Sequence, residues 1–307
     1  MSNDVRANNE QYVFYKTCPF RSFSLVFSRS SSNSLLSLIS YRKLHSRVYV
    51  LKYSIMPSIK GQNILIIGGS SGIGFAVAKL AAAEGVNVFI ASSNASRISD
   101  AVARLLTAVP GASIRGYTVD VSGDNAESQL EKLFTDAVAA AGQSLDHIVY
   151  TAAKFDVRPV SAVDTAYLRN STQFGYVAPL LIAKLSPRFL KQHYTSSLIF
   201  TSGRLAERPM KGMAVASGWA TALSGITRGL ALDLVPVRAN LVSPGATNTE
   251  MFGEGEAREQ MVAYIGKSAL LGKVGTPEEV AEAYLYLMKD TNNTGSCVET
   301  NGGVLVQ

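Results

Sequence analysis

The chain has few of the residues that build disulfide frameworks or metal sites. Its 307 residues include two cysteines, Cys18 and Cys297, and three histidines, His45, His147 and His193. Two cysteines cannot make a disulfide framework, and the histidines lack the spacing of metal ligands. We therefore expect a reducing compartment, the cytoplasm, and no bound metal.

Long apolar runs are also missing. The sequence is 47% hydrophobic, yet no apolar run reaches the roughly 18 residues that a membrane-spanning helix needs. This composition predicts a globular protein with a substantial core and no membrane span.

The net positive charge is confined to one end of the chain. The formal charge is +6; residues 1–55 hold eight Lys or Arg and two acids, whereas residues 56–307 hold 21 of each. A nucleic-acid-binding face on the main domain is therefore not expected.

Residues 1–55 differ in composition from the rest of the chain. They are rich in Ser and Arg, and residues 20–54 contain no acid, a composition that fits a mitochondrial transit peptide. A disordered extension fits as well, and so does a start codon placed too far upstream, because Met56 opens MPSIKGQNILIIGG. We expect this basic extension to be dispensable, with a mitochondrial location only if it is a transit peptide.

From residue 60 onward, short β-branched runs alternate with helical patterns. The strand candidates, each apolar on both faces, are NILIIGG, VNVFIASS, SIRGYTVDV, LDHIVYTAA, SSLIFTSG, RANLVSPG and SCVETNGG. They predict a single α/β domain over residues 56–307, with a Rossmann-type, doubly wound, seven-stranded parallel sheet. The long segment from about 248 to 272 is predicted to be a lid over a site.

A glycine-rich turn follows the first predicted strand. It reads Gly68, Gly69, Ser70, Ser71, Gly72, Ile73, Gly74 and leads into a helix. Glycines at this spacing permit a tight turn and let backbone amides approach a diphosphate, while the helix N-terminus faces the anion. The turn predicts a dinucleotide cofactor.

The end of the second strand distinguishes between cofactors. NAD-preferring sites place an acid there for the ribose 2′-hydroxyl; this chain has Ser92, Ser93 and Asn94, followed by Arg97. Small hydroxyls and a cation favour a 2′-phosphate, so NADP(H) is predicted over NAD(H). Alternatively, Ser93 or Asn94 caps the following helix and Arg97 is a solvated surface residue, and both interpretations can hold together.

These motifs resemble those of the short-chain dehydrogenase/reductase family over residues 60 to 307. The landmarks are the glycine turn, Asp120-Val121, Ser202, RANLVSPG with Thr249 behind it, and Asn301-Gly302-Gly303. The resemblance implies homodimers or homotetramers. It also implies that Asp120 and Val121 contact the adenine of the cofactor and that Thr151, Ala152 and Ala153 lie along the cofactor. Pro244, Gly245 and Thr247 are implied to flank the nicotinamide.

The family's catalytic tyrosine and lysine are absent. In the stretch GMAVASGWATALSGITRGLALDL they fall on Ala216 and Ala220, so of the catalytic set only Ser202 remains. Lys211 and Lys154 are candidate substitutes, although each also fits a solvated surface lysine. Trp219 fits core packing better than substrate stacking. The pattern is similar to a divergent fungal branch, some of whose members act in secondary metabolism.

We therefore predict an NADP(H)-dependent reductase of a small molecule, with an altered catalytic set. A non-redox isomerase or cyclase that keeps the cofactor site as scaffold is the alternative, and a cofactor-binding regulator is a third.

Overall fold

The computed structural model describes residues 11–14, 24–28, 37–44, 47–52, 56–154, 156–253 and 255–306. The chain divides into two compact units, Met1–Ser58 and Ile59–Gln307. Within the described residues, no helix has the length and apolar character needed to cross a bilayer.

The first unit contains a four-stranded antiparallel sheet. Its strands, in sheet order, are β1 (Gln11–Phe14), β2 (Ser24–Ser28), β3 (Ser37–Leu44) and β4 (Arg47–Lys52). The rest of residues 1–55 lies outside the described residues. The prediction that this segment is dispensable stays a prediction.

The second unit is built on a seven-stranded parallel sheet, which confirms the predicted Rossmann-type fold. Its strands are β5 (Asn63–Ile67), β6 (Asn87–Ser92), β7 (Ile114–Thr118), β8 (His147–Tyr150), β9 (Ser197–Thr201), β10 (Arg238–Pro244) and β11 (Cys297–Thr300). The sheet order is β11-β10-β9-β8-β5-β6-β7. Strand order therefore reverses between β5 and β8, and ligands of doubly wound sheets bind at the carboxyl ends of the strands beside such a reversal.

Helices cover both faces of this sheet. They are α1 (Gly72–Ala83), α2 (Ala95–Ala108), α3 (Ala126–Ala141), α4 (Thr165–Thr172), α5 (Ala178–Leu185), α6 (Ala214–Asp233), α7 (Gly255–Gly266) and α8 (Pro277–Lys289). Buried residues of α1, α2 and α8 form one apolar core with the sheet, and those of α3, α5 and α6 form the other. The two cores arise because the inner strands are apolar on both faces.

The two edge strands differ from the prediction that every strand is buried on both faces. Strand β7 has two half-buried and three exposed residues, and β11 alternates exposed with half-buried positions. Each has one neighbouring strand, so the helices cover them less completely than the inner strands β5, β8, β9 and β10. Sequence alone did not reveal which strands form the edges.

Two irregular segments lie near the carboxyl edge of the sheet. Helix α4 continues into a π-helical turn, Gln173–Val177, which joins it to α5. After β10 the chain forms a short 3-10 turn, Glu250–Phe252, and then α7. This second segment is the one predicted to be a lid, and its lid role stays a prediction.

Candidate active site

The glycine-rich turn after β5 is packed so closely that it excludes side chains. Gly68 has a φ of +100°, and a Cβ built on it would lie 2.6 Å from the Ala152 backbone nitrogen. A Cβ on Gly74 would lie 2.3 Å from the Gly68 carbonyl oxygen. Side chains at these positions would fill the crevice between β5 and β8, so the glycines keep backbone amides accessible to a ligand.

The N-terminus of α1 already holds an anion in this structure. The Gly72 N–H donates a hydrogen bond of 3.0 Å to the Oε2 atom of Glu250, from the turn after β10. No acid lies in the first turn of α1, and Ser71 makes no side-chain capping bond there. Because the free N–H groups and dipole of a helix N-terminus favour anions, the turn fits the diphosphate of a dinucleotide.

At the end of β6 the predicted capping interaction is present. Asn94 accepts a hydrogen bond of 2.9 Å from the Arg97 N–H and so caps α2. Ser93 and Arg97 are exposed, and among the described residues no hydrogen bond or ion pair engages the Arg97 guanidinium. The Ser92 hydroxyl is buried, again without a partner in that part of the chain. Capping by Asn94 therefore leaves the Arg97 guanidinium accessible to a ligand.

The predicted adenine-contacting residues follow β7. The Asp120 carboxylate accepts the Ser122 N–H at 2.9 Å. The hydrogen bonds from Ser122 lower the pKa of Asp120, with the Lys154 ammonium adding to the effect. Val121 is buried, and its carbonyl accepts a bond of 2.8 Å from Gln173 Nε2 in the π-helical turn.

The residues predicted to lie along the cofactor follow β8, and those predicted to flank the nicotinamide lie at and after the end of β10. Thr151 donates its backbone N–H to the Ile67 carbonyl at 2.8 Å, which places residues 151–153 beside the glycine turn. A Cβ on Gly245 would lie 2.7 Å from the Asn301 Cα atom, so the chain segments after β10 and β11 are in close contact there. Thr247 is buried, and its hydroxyl donates to the Gly245 carbonyl at 3.2 Å.

The positions of the missing catalytic pair lie on α6. Ala216 and Ala220 are both buried, at 7% and 2% exposure. The Ser202 hydroxyl donates a hydrogen bond of 2.9 Å to the Ala220 carbonyl. In this structure Ser202 is therefore bonded to the helix backbone, and its catalytic role stays a prediction.

A cavity of about 270 Å³ opens beside Ala216. Its lining residues are Ser122, Lys154, Asp156, Tyr167, Asn170, Ser171, Phe174, Ala216 and Trp219. The predicted substitute Lys154 is thus part of this cavity. Lys211 is exposed and is not among the lining residues.

Trp219 both packs in the protein interior and lines the cavity. Its ring lies so close to Gly175 that a Cβ there would be 2.4 Å from the indole Cε3 atom. The indole also packs on the core formed with α3, α5 and α6. The predicted core packing is therefore present, and one side of the ring still faces the cavity.

Sequence reasoning missed most of the residues that line the cavity, among them Asp156 and Tyr167, and it missed their neighbour Arg158. Tyr167 is 5% exposed, and its hydroxyl donates to the Asp156 carbonyl at 2.8 Å. The Arg158 guanidinium pairs with the Asp156 carboxylate at 3.1 Å and lies 4.5 Å from the Tyr167 ring centroid. Asp164, three residues before Tyr167, caps α4, and this Asp-x-x-Tyr start was the signal that could have placed the tyrosine on a helix.

Comparisons with known proteins agree with this architecture. A family model described as an SDR-like Rossmann domain matches residues 58–307. The short-chain dehydrogenase/reductase ATR9 of Stachybotrys chlorohalonatus is 49% identical over 253 residues, which cover 82% of this chain and 100% of that protein.

Solved structures are similar as well. MalC from Malbranchea aurantiaca, described as a reductase/Diels-Alderase, is 37% identical with a TM-score of 0.77, covering 81% of this chain and 97% of its own. A dehydrogenase/reductase from Sinorhizobium meliloti is 28% identical with a TM-score of 0.72, covering 80% and 96%. The chain therefore belongs to the short-chain dehydrogenase/reductase family of oxidoreductases, within its fungal branch, and carries that family's nicotinamide-cofactor-binding Rossmann domain.

Proposed function

We propose that this protein is an NADP(H)-dependent reductase of a small secondary metabolite, with a catalytic set that lacks the family's tyrosine and lysine. The observation that carries the cofactor choice is the end of β6. Arg97 is exposed there, its guanidinium engages no described residue, and no acid follows the strand. A guanidinium binds phosphate oxygens through several donors, whereas an acid at this place would repel the 2′-phosphate.

The reductive direction is supported by the relatives and by the cavity. MalC, 37% identical, is described as a reductase. The cavity lies beside Ala216, where the resemblance puts the reacting end of the substrate, and aromatic rings of Phe174 and Trp219 line it together with polar side chains. Such a mixed lining suits a small ring system that carries a few polar groups. The bound cofactor would supply the hydride.

Binding of NADPH and NADH to the full chain, measured by titration calorimetry, tests the cofactor choice. We expect NADPH to bind at least about tenfold more tightly, because a charge-assisted bond to phosphate contributes about 1.5–3 kcal/mol. Arg97→Ala should remove most of this preference and change NADH binding less than about twofold. Arg104→Ala, on the same helix, is the control. Equal losses of both cofactors in Arg97→Ala would refute the 2′-phosphate contact.

Turnover is tested by following NADPH absorbance with menadione, dihydroisoquinoline and an activated alkene as probes. Oxidation of NADPH by at least one of these compounds is expected. Tight binding of NADPH with no oxidation by any ketone, imine or alkene would count against a reductase.

A second function, cyclisation without redox chemistry, is favoured by one specific observation. The Ala216 and Ala220 positions carry no acid or base, yet the adjoining cavity of about 270 Å³ is large enough for a small ring system. MalC is described as a Diels-Alderase as well as a reductase. Conversion of a linked diene and dienophile at constant NADPH absorbance, faster than without protein, would support this function over reduction.

A further inference from the structure

A buried tyrosine lines the cavity even though the tyrosine of α6 is absent. Tyr167 comes from the first turn of α4 and is 5% exposed, and it lines the same cavity as Ala216 and Trp219. A phenol hydroxyl can donate a proton and can also accept a hydrogen bond. Besides Lys154, the cavity therefore contains a second group able to protonate a substrate oxygen, supplied by a different helix.

Two charged side chains lie beside Tyr167. The Arg158 guanidinium lies 4.5 Å from the ring centroid, a distance at which a cation and an aromatic ring attract each other. The Asp156 carboxylate pairs with the same guanidinium at 3.1 Å and so helps to hold it against the ring. Lys154 adds a second cation to the cavity, and Asp164 accepts the Tyr167 backbone N–H at 2.7 Å.

The Tyr167 proton has a defined resting partner. The hydroxyl donates it to the Asp156 backbone carbonyl at 2.8 Å. This bond orients the phenol at the wall of the cavity. The resting bond thus keeps the group buried without an unsatisfied donor.

We propose that Tyr167 is the general acid of this site and that Arg158 is its positioning residue. The proposal rests on the reductase function. When a hydride adds to the carbon of a substrate C=O or C=N bond, the π electron pair moves to the oxygen or nitrogen, which takes the Tyr167 proton. The phenolate that remains lies beside the Arg158 guanidinium and regains a proton from water in the cavity.

The main test compares Tyr167→Phe with wild type and with Tyr194→Phe, whose ring is exposed on the loop before β9. Loss of a general acid should lower kcat by about 10²- to 10⁴-fold, while the Kd for NADPH stays within about twofold. Arg158→Met should lower kcat by about tenfold, since cation–π interactions at partly buried sites are worth about that much. Arg158→Lys should restore most of the loss.

A second readout needs neither cofactor nor turnover. Trp219 is the chain's only tryptophan, and it lines the cavity together with Tyr167. Ionised tyrosine accepts excitation energy from a nearby indole and quenches it. In an alkaline titration of the cofactor-free protein, wild type and Tyr194→Phe should show a quenching step that Tyr167→Phe lacks.

The outcomes separate this proposal from the reductase function. Wild-type kcat in Tyr167→Phe, or an identical titration in wild type and Tyr167→Phe, would overturn the role of Tyr167. A parallel drop of kcat, NADPH affinity and melting temperature in Tyr167→Phe would show that the hydroxyl only holds the segment around Asp156 in place. That result would also overturn the catalytic role of Tyr167. A wild-type protein that binds NADPH but reduces none of the probes refutes the reductase function instead.

Discussion

Replacing Glu250 by glutamine tests how the glycine turn takes up its anionic ligand. In the structure the Glu250 carboxylate accepts the Gly72 N–H at 3.0 Å, at the N-terminus of α1. A cofactor diphosphate bound at this helix would need the same N–H. Glu250 and the cofactor therefore compete, and glutamine keeps the size of the side chain while it removes the charge.

The expected magnitudes follow from the exposure of this contact. Glu250 is exposed, and a carboxylate at an exposed helix N-terminus contributes about 0.3–1 kcal/mol. The cofactor-free Glu250→Gln protein should be less stable by that amount, which lowers its melting temperature by about 1–3 °C. In wild type, a bound diphosphate must displace the Glu250 carboxylate and give up this free energy. Glu250→Gln removes that cost, so the cofactor should bind about two- to fivefold more tightly.

The assay therefore measures stability, which should fall in Glu250→Gln, and cofactor affinity, which should rise. Scanning calorimetry gives the melting temperature without cofactor, and titration calorimetry gives the Kd of NADPH. Glu259→Gln is the matched control, because it removes the same charge from an exposed position on α7. Both effects should shrink in high salt, since surface charges are screened.

Two results would contradict this reasoning. If Glu250→Gln lowers the melting temperature but the Kd of NADPH is unchanged or higher, the diphosphate and the carboxylate do not share the Gly72 N–H. An unchanged melting temperature would show that the contact adds nothing to stability.

Two further predictions concern the turn and the buried histidine. Gly74→Ala places a Cβ 2.3 Å from the Gly68 carbonyl oxygen. We therefore expect a loss of about 1–3 kcal/mol in unfolding free energy and at least about tenfold weaker NADPH binding. Gly218→Ala is the control, because a Cβ there meets nothing within 4 Å, and it should lower neither stability nor NADPH affinity. His147 is neutral when folded because burial, with Arg238 and Lys191, lowers its pKa to about 3. Between that value and the unfolded pKa of about 6.5, the unfolded chain binds the extra proton at His147. Urea denaturation should therefore show stability falling as pH decreases through this window, and His147 should contribute about 1.4 kcal/mol per pH unit to the slope. His147→Gln should flatten the slope, and the exposed His193→Gln should not.

The sheet and the glycine turn were predictable because each depends on local chemistry. Buried parallel strands need apolar residues on both faces, and the sequence shows them at regular intervals between helical patterns. The turn requires glycine at positions 68 and 74, because a Cβ at either would clash with neighbouring backbone. A steric requirement of this kind can be recognised from the residue types alone.

The cavity was not predictable in the same way. Tyr167 lies on a short, mostly polar helix, and its proximity to Ala216 arises from packing between segments about 50 residues apart. The bond between Glu250 and Gly72 joins residues 178 positions apart. Contacts of this kind depend on the three-dimensional course of the chain, and no pattern in either segment indicates them.

The contact between Trp219 and Gly175 has a consequence for the evolution of this branch. Because a Cβ at position 175 would lie 2.4 Å from the indole, a larger residue there and a tryptophan at 219 exclude each other. Relatives that share the π-helical turn and carry tryptophan at 219 should therefore carry glycine at 175. A lineage could replace that glycine only after the tryptophan had given way to a smaller side chain, so the order of the two changes marks when this pocket arose.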